Sequence, residues 1–435
     1  MSNFKRLIVI TTIILVFFLF SSCNTLLSVN VPSIIWSKHF GGSGNDSAFS
    51  VTKTTDGRFV LLGKSDSTDH DVWGTHGVDD YWIADLNSDG TFRGQMIFGG
   101  TGHDIGSCIR QTSDNGYALL GSSFSNDGTL PGNNGLYDFY FLKLTTAGTL
   151  GWQMNCGGSD VDLAQSLVET DDNQYILAGF TGSVDGDVSS HHGAMDMWIV
   201  KVNSSDHVRW EKTFGGSNQD YAHSIKQTND GHYIVAGYTN STNGDICVNH
   251  GMNDCWIIKL NDFGNIIWHA TLGGSNDDKA LSIEPTTDNG YIMAGGSKST
   301  DGDVTENHGG MDCWIVKLDA WGTIEWQKSY GGSGNEVATA IKQTTDGGYI
   351  AAGTSDSIDG DVTGNHGDLD VWVFKLNSEG NLQWQKSLGG TNEDAAHSLV
   401  LSDDNGYIIA GYSESDNGNV PGNYGNRDYW VVKLK

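Results

Sequence analysis

Proline is nearly missing from this chain, with four residues in 435, whereas glycine numbers 59. Long patterns of helical period are missing too, which argues against a helical or α/β architecture. Glycine-rich turns with 14 tryptophans and 15 tyrosines suit an all-β chain. Positive charge is scarce: 24 Lys+Arg stand against 53 Asp+Glu, a formal net charge of −29, and such a surface repels nucleic acid and anionic lipid. Cysteine is scarce as well. Besides Cys23 there are Cys108, Cys156, Cys247, Cys255 and Cys313, without the spacing of a disulfide framework or a metal site. They read as small buried hydrophobes, with a Cys255 to Cys313 bridge between adjacent repeats as the alternative. No apolar run reaches the ~20 residues that a membrane-spanning helix needs.

What is present is a period. Gly-Gly recurs at Gly41-Gly42, Gly99-Gly100, Gly157-Gly158, Gly215-Gly216, Gly273-Gly274, Gly331-Gly332 and Gly389-Gly390, 58 residues apart each time. Seven equal copies of one supersecondary unit make almost every notable residue a property of the unit. In the copy beginning at Gly273, Lys279–Pro285 reads as a first strand, and the turn Asp288-Asn289-Gly290 leads to a second at Tyr291–Gly295. A polar loop of about sixteen residues reaches a third strand, Asp312–Leu318, apolar on both faces. Ala320-Trp321-Gly322 then turns into a fourth, Thr323–Tyr330, with one wet face.

A twisted sheet of four antiparallel strands with two apolar faces must be covered on both sides, and neighbouring copies supply that cover. A lone fourth strand at 34–40 precedes the first copy, and the last copy stops on a third strand at 429–435. Pairing the two completes one blade and closes a ring. The expectation is a seven-bladed β-propeller, four strands per blade, over residues 34–435, preceded by a signal at 1–22 and a tether at 23–33.

The patterns Trp-x-Lys-x-Phe-Gly-Gly-Ser-x-x-Asp, Asp-Gly-Gly-Tyr-Ile-x-Ala-Gly and Asp-x-Trp-Ile-Val-Lys-Leu resemble the bacterial β-propeller repeat proteins of the cell envelope, over all seven copies. That resemblance implies the fold and no single activity. The segment 376–384 also looks like the turn of pyrroloquinoline-quinone-type repeats, but those enzymes usually have eight blades and no cofactor signature accompanies it here.

At the start of the chain, Lys5-Arg6, the apolar run 7–20 and Ser21-Ser22-Cys23 read as a secretory signal. The stretch 19–23 resembles a bacterial lipobox, with Phe20 where Leu is usual. It implies cleavage before Cys23 and acylation there, palmitate included. Loss of residues 1–22 removes two basic and no acidic residues and leaves a net charge of −31, so membrane attachment would rest on the acyl chains. The expected setting is an outer-membrane lipoprotein of the bacterial envelope, monomeric, on its periplasmic or surface face.

In a propeller the links between blades and the loops joining second to third strands share one face. On it lie two sevenfold acid sets: Asp46, Asp104, Asp162, Asp220, Asp278, Glu336 and Asp394, and Asp80, Asp138, Asp196, Asp254, Asp312, Asp370 and Asp428. The pairs Asp185/Asp187, Asp301/Asp303 and Asp359/Asp361 join them. These acids offer hard oxygen ligands for Ca²⁺, or they accept hydrogen bonds from turn amides and pair with the lysines of Trp-x-Lys and Val-Lys-Leu. His76, His192, His250, His308 and His366 sit on different blades and cannot converge on one ion, so they read as hydrogen-bonded loop residues. The first-hairpin acids, such as Asp114 and Asp288, need no role beyond the turn.

Private chemistry must lie where the period fails. Near the axial mouth the candidates are His103, His223 and His397, with Tyr221 and Lys279 close in the repeat; they form no recognisable nucleophile–base pair or metal triad. The expected function is therefore non-catalytic binding of a protein or neutral glycan through the loop-rich face, with no firm cofactor. The alternative is a hydrolase or lyase at the axial mouth.

Overall fold

The computed structural model describes residues 31–435. The expected signal 1–22, the acceptor Cys23 and the tether up to residue 30 lie outside the described residues. Among the described residues there are 28 strands and no helix, arranged as seven four-stranded antiparallel sheets. Blade 1 runs from the axis outward as Asp46–Lys53, Phe59–Ser65, Asp80–Leu86 and Phe92–Phe98. Blades 2 to 6 repeat that order.

Blade 7 draws three strands from the C-terminus, Asp394–Leu401, Tyr407–Ser413 and Asp428–Leu434, and its outer strand, Ile34–Phe40, from the N-terminus. The ring closes as expected, and Ser33 and Lys435 extend the closure by exchanging both backbone hydrogen bonds at 2.8 and 3.0 Å. Strand limits shift slightly from those expected. In blade 5 the inner strand begins at Asp278 and the second continues to Ser297, which shortens the long loop to 298–311.

The third strands are buried along their whole length except at Asp85 of blade 1, because blades cover the sheet on both sides; the outer strands keep the half-wet pattern of an edge. Between blades, an outer-strand tryptophan packs on the second-strand aromatic of the next copy. Ring centroids lie 5.9 Å apart for Trp268–Tyr291, Trp326–Tyr349 and Trp384–Tyr407. Cys108, Cys156, Cys255 and Cys313 are buried and Cys247 is exposed; all five thiols are free, so the alternative bridge does not form. Cys255 and Cys313 face their own blades' outer strands, opposite Leu272 and Tyr330.

The Gly-Gly links thread between blades through a cage of carboxylates. A side chain at Gly157 would begin 2.4 Å from Asp138 Oδ1 of blade 2 and 2.7 Å from Asp162 Oδ2 of blade 3. Only a glycine lets the chain pass between two such acids. The second glycine of the pair donates its N–H to the inner-strand acid, 2.8 Å from Gly158 to Asp162. The inner-strand acid in turn donates its own N–H across the blade boundary, as Asp162 does to Tyr137 O at 2.6 Å. The period of 58 is therefore the repeat of an inter-blade clasp.

Candidate functional site

The inner strands decide what lines the axis. In all seven, the register slips between the third and fifth residues, as between Ala222 and Ser224, leaving the fourth residue as a β-bulge. The bulge shifts the in–out alternation by one, so the second, fourth and seventh residues face the channel while the sixth, apolar in every blade, stays buried. The fifth is serine in five blades. Its hydroxyl accepts an N–H from the next inner strand, as in Ser398 to Val51 at 3.1 Å and Ser166 to Ile225 at 3.2 Å.

The fourth residues, Phe49, Ser107, Gln165, His223, Leu281, Thr339 and His397, all differ in character between adjacent blades and all line an axial cavity of about 470 Å³. His223 and His397 thus share the cavity from blades 4 and 7. Each presents a buried Nε2 without a hydrogen-bond partner, and burial lowers both imidazoles to about 4, so they are neutral at pH 7. His223 stacks on Tyr238 at 5.2 Å and His397 packs on Phe49 at 5.1 Å. His103 is placed elsewhere. It sits in the blade 1 to 2 link with Nδ1 2.7 Å from Asp79 Oδ2, outside the cavity lining. Lys279 lies over the Tyr238 ring at 4.8 Å, and Tyr221 packs on Phe180 at 4.5 Å.

On the long-loop face the Asp-Gly-Asp pairs bind backbone. Asp185 Oδ1 accepts from Ser159 N at 2.7 Å and Asp187 Oδ2 from Gly157 N at 3.2 Å; Asp301 and Asp303 take Ser275 N and Gly273 N at 2.8 and 3.1 Å. Asp359 and Asp361 hold Ser333 N and Gly331 N at 2.7 and 3.3 Å. Each pair pins the link leading into its own blade. The loop histidines hydrogen-bond through Nδ1 to the acid four residues on, at 2.8 Å for His250–Asp254 and 2.6 Å for His308–Asp312.

The third-strand lysines do not join that face. The third-strand lysine lies at the other end of its strand and in five blades reaches the first-hairpin acid: Lys143–Asp114, Lys317–Asp288 and Lys375–Asp346 are each 2.9 Å apart, whereas Lys201 pairs with Asp262 of the following blade. The expected pairing of Val-Lys-Leu lysines with the long-loop acids is corrected accordingly, and the hairpin acids carry a role beyond the turn.

The loops themselves are apolar at their tips. Of sixteen exposed large apolar side chains among the described residues, nine lie in these loops: Trp73, Val78, Phe124, Leu136, Val184, Val248, Met252, Ile358 and Tyr424. Six of the seven blades contribute.

With this geometry in hand, the chain can be compared with known proteins. No protein-family profile matches it. Over 208 residues it is 27% identical to the regulatory protein FlaEY of Caulobacter vibrioides, a match covering 42% of this chain and 22% of that protein. The chain spans about a fifth of the length of this curated relative. Among solved structures it is similar to the WD40 β-propeller domain of Doa1, with a TM-score of 0.50 at 10% identity, covering 92% of this chain and 97% of that one. It also overlaps the GH93 α-L-arabinofuranosidase of Fusarium graminearum, at a TM-score of 0.45 and 11% identity over 93% and 98% of the two chains. The likeness to the Doa1 domain shows the propeller fold alone. Propellers host both binding and catalysis, so the site must carry the argument.

One set of site residues escaped the sequence reading. Arg110, Lys226, Glu284 and Lys342 occupy the seventh position of their inner strands and line the cavity. Regular alternation from the first residue turns the seventh position away from the axis; the bulge turns it back. The available signal was the variation itself: Thr52, Arg110, Val168, Lys226, Glu284, Lys342 and Val400 share no chemistry, whereas the sixth residues are uniformly apolar.

Proposed function

We propose that this propeller is a non-catalytic binding protein, exported and anchored in the bacterial envelope by acyl chains on Cys23, that holds a protein or neutral glycan on its long-loop face. The concentration of exposed apolar side chains on that face supports the reading: Trp73, Val184 and Ile358 are 58, 72 and 80% exposed in loops whose bases are pinned by Asp–amide hydrogen bonds. A rigid base with apolar tips is suited to docking. The acids beneath are engaged with backbone amides, which leaves apolar contact as the face's main offer to a neutral partner. Ca²⁺ at the Asp-Gly-Asp pairs stays a proposal of second rank, because each of those carboxylates already accepts an amide. Each blade leaves only one short, polar outer strand as an edge, which suits a monomer.

The full-length chain in detergent, applied to a glycan array and to envelope extract, is expected to capture a discrete ligand. Trp73→Ala together with Ile358→Ala should weaken that capture about fivefold or more. An array and an extract that both yield nothing, or capture indifferent to the double substitution, would sink the reading. Separately, Cys23→Ala should move the protein from the membrane to the soluble fraction.

A further inference from the structure

The chain as a whole carries 29 excess negative charges, yet its axial cavity gathers Arg110, Lys226 and Lys342 around a single acid, Glu284. Lys226 Nζ and Lys342 Nζ reach the same oxygen, Glu284 Oε1, at 2.9 and 2.5 Å. Two ammonium groups hold six N–H donors between them, and one carboxylate oxygen cannot satisfy them. The Arg110 guanidinium donates to the carbonyl of Ile109 at 2.9 Å, a neutral acceptor. Three cations and one anion leave two positive charges uncompensated in a lumen where water is restricted and Coulomb forces are stronger than at the surface.

The protonation states keep that imbalance at neutral pH. Burial depresses Lys226 to about 8, with Glu284 opposing and Lys342 and Arg110 adding to the effect. At Glu284 burial favours the acid form, but the Lys226 and Lys342 charges outweigh it and hold the carboxyl down to about 2. One cation is enough to neutralise a buried carboxylate; a second gains attraction to Glu284 but is repelled by the first, and Arg110 adds a third charge that no acid in the cavity lining offsets. Nor does the sevenfold clasp need them, for Val168 and Val400 fill the same position in other blades.

We propose that the axial cavity binds a small organic oxyanion, its phosphate or carboxylate head held by Arg110, Lys226 and Lys342 and its apolar body lying against Phe49 and Leu281 one layer along the axis. The cavity's volume of about 470 Å³ falls within the ~300–1,000 Å³ usual for small-molecule sites. Arg110 supplies the planar fork that suits such a head, and the two lysines supply point charge. The site is independent of the long-loop face.

Calorimetric titration of the full-length chain in detergent at constant ionic strength, with inorganic phosphate and with benzoate, tests this. At least one probe should bind saturably at one site per chain. Arg110→Met, which leaves the Lys226–Glu284–Lys342 bridge in place, should weaken binding ~tenfold or more. Glu284→Gln removes the competing negative charge and should tighten it; if that variant does not fold, Arg110→Met decides alone. Absence of saturable heat from both probes overturns the proposal, as does binding that Arg110→Met leaves unchanged.

Discussion

At the scale of single residues, this protein is organised by where carboxylates are placed relative to glycine and lysine. The first glycine of each link passes between two acids of adjacent blades, so Gly157→Ala should destabilise by roughly 1–3 kcal/mol through crowding of Asp138 and Asp162, measured as a lower urea midpoint. An unchanged midpoint would show that the acids move aside freely. The same acids set the response to pH. Burial pushes Asp46 and Asp138 up to about 6, and burial with the Asp46 charge pushes Asp428 up to about 7, against ~3.9 in an unfolded chain. Groups raised in this way bind more protons folded than unfolded, so stability falls as pH rises from about 4 through about 7. The hairpin acids act in the opposite sense. Against the effect of burial, Thr112 and Lys143 hold Asp114 down to about 2, and Thr286 and Lys317 do the same for Asp288, so their contribution is lost below about pH 4. The melting temperature should therefore peak between about pH 4 and 6, and a thermal scan across pH 3–8 that rises monotonically to neutral pH would contradict this assignment.

At the scale of the strand and hairpin, blade 1 shows how the unit tolerates change. Where six blades have lysine on the third strand, blade 1 has Asp85, and the residue before its second strand is Arg58, whose Nη1 lies 2.6 Å from Asp85 Oδ2. Blades 2, 5, 6 and 7 have glycine at that place. A side chain there would begin 2.5–2.6 Å from the lysine Nζ in blades 2, 5 and 6, whereas blades 3 and 4 combine Gln174 and His232 with Lys201 and Lys259, so the glycine eases the lysine's approach without being required for it. Asp85→Lys alone should destabilise by roughly 1–2 kcal/mol by setting Lys against Arg58, and Arg58→Gly added to it should recover most of the loss. Denaturant titration of the four-protein cycle measures the coupling; simple additivity would mean that the two positions are independent. The bulge is the other lesson at this scale. Strand identity and pairing follow from alternation and turn residues, but a one-residue slip at Phe49 or His223 depends on how the inner strand fits against its partner, and pattern reading passes over it.

At the scale of the whole molecule, closure by the N-terminal strand makes the ring a single cooperative unit. Trp430 of blade 7 donates its indole N–H to Ser37 Oγ of that strand at 2.9 Å, and Tyr429 reaches across to Trp82 O of blade 1 at 2.8 Å. Deleting residues 34–40 should replace the half-polar outer edge of blade 7 with its apolar third strand, Asp428–Leu434, and drive self-association, read by size exclusion and light scattering; a monomeric, fully folded deletion protein would show that closure is dispensable.

The period of 58, the blade count and the sharing of one blade between the chain ends were legible in the sequence, because they depend on local turn chemistry and on counting. The loop histidines were also readable as local hydrogen-bond partners, since His250 and His308 each bond the acid four residues on; the paired acids were not, for they accept amides of the Gly-Gly link 26 or 30 residues away and not of their own turn. The lysine partners were not, for they depend on which end of a buried strand the ammonium leaves by. The axial cluster was not either: successive members of the set Arg110, Lys226, Glu284 and Lys342 are 58 or 116 residues apart, and only the curvature of the ring and the inner-strand bulge turn them toward one lumen. Local periodicity determines the blade, whereas convergence across blades is decided by how seven twisted sheets meet around an axis.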